Sequence, residues 1–174
     1  TWISGYHFVF LGGAAAGLHA DLSSAQLAWL EETLAKDRVE GRPTFLFLHQ
    51  GLMDTVAGTF KYQNWHGVKQ SAQLRRILRQ YPEVVLFSGH SHWTMESAHT
   101  VKPADGSLPS VVSTASCAYL WDDSCIATNV GIVGSEGYYI YLYENCLIVR
   151  GRSFDRGEWI GSAQFILPLP TSGG

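Results

Sequence analysis

Three histidines carry the chemistry this sequence can do. His90 and His92 stand one residue apart in Gly89-His90-Ser91-His92, directly after the apolar run Val84-Val85-Leu86-Phe87. His49 follows a second such run, Thr44-Phe45-Leu46-Phe47-Leu48. Neutral imidazole is the commonest side-chain ligand of metal ions. Two imidazoles on one side of a strand end can share one ion, or each can serve one of two neighbouring ions. On an extended segment residues 90 and 92 project to the same side, and Ser91 between them adds no bulk. Gly89 supplies the permissive backbone that a sharp exit from a sheet requires. A single histidine after a strand is ordinarily structural, but two strand ends of the same pattern point to a shared site.

The elements around these residues determine whether they can meet. Residues 84–87 are uniformly apolar, as in a strand buried on both faces, and residues 44–48 read the same way. Between them residues 71–81 read as a helix, with Leu74, Ile77, Leu78 and Tyr81 inward, Arg75, Arg76 and Arg79 on the solvated face, and Pro82 closing it. Strand, helix, strand with a right-handed crossover makes the two strands parallel. Parallel strands emerge on one edge, so His49, His90 and His92 should converge there. Upstream, residues 5–13 predict a strand and turn. Ser23 and Gln26 form a capping box with Leu22 stapled onto Leu27, opening a helix that should stop near Gly41 and Pro43.

Downstream the chain turns to β character. Residues 109–116 predict a strand, residues 117–137 an irregular connection, and residues 138–143 and 146–150 a hairpin. Residues 158–160 and 165–169 read as short closing segments, and 170–174 as a tail. The long loop over residues 51–66, with Lys61, Tyr62, Asn64, Trp65 and His66, reads as a site rim or lid. The spacing of His66 carries no ligand signal, and Asp122 and Asp123 read as turn formers.

Composition sets the outer limits. With 174 residues and 46% hydrophobic content the chain can bury the core of one domain, and the order of its strand and helix patterns reads as an α/β fold of mixed β-sheets with flanking helices. A net charge of −3 gives no signal for nucleic acid or an anionic membrane as partner. The longest apolar runs fall far short of the roughly 20 residues a bilayer span needs. Cys117, Cys125 and Cys146 match no metal-binding pattern, and their odd number argues against a complete disulfide framework.

The Gly89-His90-Ser91-His92 tetrapeptide after its strand, with Leu48-His49-Gln50 and the helix opener Leu22-Ser23-Ser24-Ala25-Gln26-Leu27 upstream, resembles the C-terminal half of calcineurin-like metallophosphoesterases. The likeness runs over residues 1–155. It implies half of a β-sandwich with αββα layers and a centre of two divalent metal ions, Zn, Mn, Fe or Co, with His49 and His90 on one ion and His92 on the other. The implied activity is hydrolysis of phosphomonoesters or phosphodiesters by a metal-activated water. The family's remaining ligands lie in D-x-H, G-D-x-x-D or G-D-x-x-N, and G-N-H-D or G-N-H-E motifs, and none of these occurs here. Three neutral imidazoles do not balance two dications, and a two-metal site needs carboxylates to hold the ions about 3.5–4 Å apart.

The expectation is therefore that residues 1–174 are a single domain or the C-terminal part of a metallophosphoesterase domain, with about 156–174 as an extension, and inactive alone. The missing N-terminal half would be supplied in cis or by a complementary chain, against an apolar face that could also self-associate, and the substrate of the intact enzyme would be a phosphoester. The alternative is a non-catalytic binding or structural module with a single three-histidine metal site or none.

Overall fold

Parallel crossovers build the larger of two sheets. The computed structural model describes residues 1–14, 17–63 and 66–170. The chain runs through β1 (Trp2–Ile3), β2 (Tyr6–Leu11), α1 (Ser24–Lys36), β3 (Thr44–Leu48), α2 (Ser71–Leu78), β4 (Val84–Ser88), β5 (Val101–Lys102) and β6 (Ser110–Ser113). It continues through a short helix α3 (Cys125–Thr128) and the strands β7 (Glu136–Leu142), β8 (Cys146–Ser153) and β9 (Glu158–Pro168). The large sheet has the order β1-β2-β3-β4-β6-β5, with β2, β3, β4 and β6 mutually parallel and the short β1 and β5 antiparallel at its edges. The expected β3-α2-β4 unit is present, in register at Phe47 and Phe87.

Each face of this sheet has its own core. Val9, Leu11, Leu46, Leu48, Leu86 and Val111 pack against Leu27, Leu30 and Leu34 of α1 and Leu74, Ile77 and Leu78 of α2. On the other face Phe45, Val85, Phe87 and Val112 meet Leu147 and Val149 of β8 and Leu167 of β9, from the antiparallel sheet β7-β8-β9. The layers are thus helices, large sheet, small sheet, a mixed α/β architecture. The small sheet does not cover all of the large one. A cavity of about 710 Å3 opens between them, walled by Tyr6, Phe8, Phe45, Phe47, Phe87 and Tyr138. Phe10, at the end of β2, is 61% exposed and stacks on Phe47, which stacks in turn on Phe87.

Several boundaries differ from the sequence reading for identifiable reasons. The capping box at Ser23 forms as expected, with Gln26 N–H donating to Ser23 Oγ and Ser23 N–H to Gln26 Oε1. The helix ends at Lys36, however, well before Gly41. Asp37 lies 3.7 Å from His7 and Arg38 pairs with buried Glu83 at 2.8 Å, so tertiary contacts recruit these residues into a turn. Helix α2 stops at Leu78, and residues 79–81 continue as turns. Arg75 is not a solvated side chain: its guanidinium donates to the carbonyls of Met53 and Asp54 and pins the long loop to α2. Residues 158–168, read as part of a C-terminal extension, form one long strand paired along β8, with a register shift opposite Arg150 and Arg152. All three cysteines are free.

Candidate metal centre

The parallel strands deliver their exits to one place. His49 follows β3 and Gly89 follows β4, and Gly89 N–H donates to His49 O at 3.0 Å. Thr114, following β6, donates its N–H to Ser88 O at 2.7 Å. A cavity of about 260 Å3 at these ends is lined by Leu11, His49, Ser88, Gly89 and Thr114. Ligand sites in open α/β sheets lie beyond the carboxyl ends of parallel strands, and this cavity does too.

The condition under which His90 and His92 would project to one side, an extended segment after Gly89, is not met. Both residues sit in the left-handed region, at φ +67° and +58°. Ser91 N–H turns back onto Gly89 O at 2.7 Å, and Trp121 N–H donates to His92 O at 2.8 Å. Gly89 itself is not at positive φ. Its lack of a side chain serves close approach instead, since a Cβ there would lie 3.4 Å from Thr114 Oγ1 and 3.8 Å from His49 Nδ1. Backbone strain falls on the two candidate ligands themselves, the kind of place where functional sites concentrate it.

What holds the strained turn is below it. Gly58, at φ +80°, packs so closely under Ser91 that a Cβ would come within 2.3 Å of Ser91 Cβ. Gln63 is buried and fixes that floor, accepting from Gly58 N–H at 2.8 Å and donating to Asp123 Oδ1 at 2.7 Å. Beyond the turn, Glu136 is 2% exposed and accepts from Met95 N–H at 2.7 Å and from Thr94 Oγ1 at 3.1 Å. Burial raises its pKa.

Within the turn, His90 Nδ1 stands 3.2 Å from His49 Nε2, with the rings edge to face at 5.0 Å. Two nitrogens bound at 2.0–2.1 Å to one tetrahedral ion are about 3.3 Å apart, so this pair fits one shared ion. Burial, followed by the neighbouring imidazoles of His49, His66, His92 and His19, pushes the His90 pKa down to about 4. The ring is therefore neutral, the form that ligates metal, at physiological pH. His90 Nε2 and His92 Nδ1 are buried without a hydrogen-bond partner among the described residues. The His92 ring lies 4.4 Å from that of Tyr119, and burial lowers its pKa against a raising backbone hydrogen bond with Tyr119.

The structure thus brings His49 and His90 into direct contact and places His92 in the same surroundings, against Tyr119. Among the described residues no group of three or more His, Cys, Asp or Glu is arranged to hold a metal ion. The donor set fits part of a metal centre and lacks carboxylates. Asp122 Oδ1 accepts from Ser124 and Cys125 in a turn, and Asp123 Oδ1 accepts from Gln63, so both are engaged in local structure. His66, whose spacing gave no signal, pairs with His19, which has no motif around it at all. Their rings reach the site through tertiary folding alone: His66 lies 6.2 Å from the His90 ring. Asn64 and Trp65 of the expected rim lie outside the described residues.

Comparison with known proteins bears on the fold. The structure aligns with that of a dimetal phosphatase from Danio rerio at a TM-score of 0.57 and 16% sequence identity. The fold is phosphatase-like. The alignment covers 90% of this chain but 43% of the zebrafish protein, so the chain spans less than half the length of that relative. No protein-family model matches the sequence, and no curated protein does.

Proposed function

We propose that this chain supplies the histidine half of a dinuclear-metal phosphoesterase centre, with His49 and His90 as ligands of one ion and His92 as a ligand of the other. The observation that carries this reading is the His49 Nε2 to His90 Nδ1 separation of 3.2 Å at the carboxyl ends of β3 and β4. The phosphatase-like fold supports it, since the zebrafish protein of that fold is a dimetal phosphatase. Two divalent ions held there would make hydroxide from a water between them and offset charge on phosphoryl oxygens. The chain's own contribution is to keep the His90 imidazole neutral by burial, to orient His90 and His92 through the strained turn, and to leave space above Gly89 and Thr114 for a phosphoryl group.

Carboxylate ligands would come from a complementary segment, in cis or from another chain, seated on the uncovered aromatic face of β2 and β3. Its occupant is inferred from the charge imbalance of an all-imidazole site and from the larger size of the zebrafish phosphatase. Phosphoester hydrolysis by the chain alone is then negligible. The test is imidazole NMR during zinc titration together with turnover of p-nitrophenyl phosphate. His49→Ala is expected to abolish the zinc-induced shift at His90, and the reverse. Metal-dependent turnover by the purified chain alone, or shifts unaffected by either substitution, would overturn the assignment. Sedimentation of the same sample shows whether a second copy, instead of a complementary segment, occupies the aromatic face.

A further inference from the structure

A second pair of imidazoles repeats the geometry of the first. His66 Nδ1 stands 3.2 Å from His19 Nε2, and the rings meet edge to face at 4.7 Å. In both pairs the Nδ1 atom of the later residue faces the Nε2 atom of the earlier one at the same separation. We propose that His19 and His66 form a second, two-histidine site for a divalent transition ion such as zinc, open on its remaining positions to water or to an oxygen ligand.

Three observations support it. The nitrogen separation again matches two ligands of one tetrahedral ion, about 3.3 Å. The far nitrogen of His19, Nδ1, lies 3.3 Å from Gly67 O. A backbone carbonyl on the second nitrogen is the usual device that fixes the tautomer of a ligating histidine and leaves the other nitrogen's lone pair for the ion. The pair also lies at the protein surface, where an ion can enter. Imidazole selects zinc, nickel, copper or cobalt over magnesium and calcium, which take oxygen donors. The competing structure is a plain N–H···N hydrogen bond between the rings. That bond, in either direction, takes up the lone pair between Nε2 of His19 and Nδ1 of His66, and when His19 Nε2 is the donor Gly67 N–H, 3.4 Å from His19 Nδ1, donates to that nitrogen.

The experiment is zinc titration of the whole chain, followed by nitrogen-15 NMR of the imidazoles and by calorimetry. In the wild-type protein His19 Nε2 and His66 Nδ1 should shift on adding zinc. His19→Ala and His66→Ala should each remove one binding equivalent and the shift at the partner ring, while shifts at His49 and His90 persist. The His49→Ala and His90→Ala pair should do the converse, so failure of one site is distinguished from failure of the other. Absence of zinc-induced shifts at His19 and His66 in the wild-type protein would overturn the proposal. That reading needs no variant to fold. Unchanged stoichiometry in both folded variants would overturn it equally.

Discussion

His90 Nδ1 lies 3.2 Å from His49 Nε2, although the two residues are separated by 41 positions in the chain. The contact exists because β3 and β4 are parallel neighbours and release their chains on the same edge. Its electrostatic counterpart is the depressed pKa of His90, whose neutral form the packing protects.

That depression makes stability pH-dependent with a definite sign. Below pH 6.5 the unfolded chain protonates His90, while the folded chain does not until pH about 4. The unfolded state then binds more protons, so stability falls as pH falls through this window and levels off beneath it. His66 and His92, also lowered, act in the same direction. Metal-free protein should lose more melting temperature between pH 7 and pH 5 than the His90→Asn variant, a substitution the left-handed backbone tolerates. Equal slopes in thermal melts would contradict this.

Gly58→Ala should damage the site from below. The new methyl meets Ser91 Cβ and Trp93 Cε3 inside contact distance, at a residue with φ +80°. Backbone strain of about 1–2 kcal/mol and overpacking of about 1–3 kcal/mol are expected together. Chemical denaturation measures the loss, and the His90 and His92 resonances should move with it.

Glu136→Ala should cost about 1–3 kcal/mol, because it strands the buried Met95 N–H. Glu136→Gln keeps an acceptor and should cost less. A reversed order in urea unfolding would show that the acceptor for Met95 N–H is not what Glu136 contributes.

Ser23→Ala removes the acceptor of the α1 capping box and should cost about 1 kcal/mol without altering zinc binding. Denaturation and titration of the same variant check both halves of that statement.

The sequence reading reached the sheet and its helices because their signals are local and agree with one another. Ser23 and Gln26 cap, the leucines of α1 and α2 share faces, and the apolar runs at β3 and β4 leave no alternative to burial. Convergence of His49 and His90 followed from topology. The end of α1 did not, because Arg38 answers to Glu83, 45 residues away. The pairing of His19 with His66 and the seat of Ser91 on Gly58 were invisible for the same reason: each is a loop-to-loop contact that no periodicity encodes. The left-handed turn at His90 and His92 was hidden by Gly89, which looked like the residue that would take the strain.

The pairing of Phe47 with Phe87 has one further effect. Side chains alternate along a strand, so a slip of one residue between β3 and β4 would send His49 toward the helices and bury a charge-prone ring among leucines. A misaligned chain forfeits the imidazole contact, so the contact is a marker of correct strand alignment.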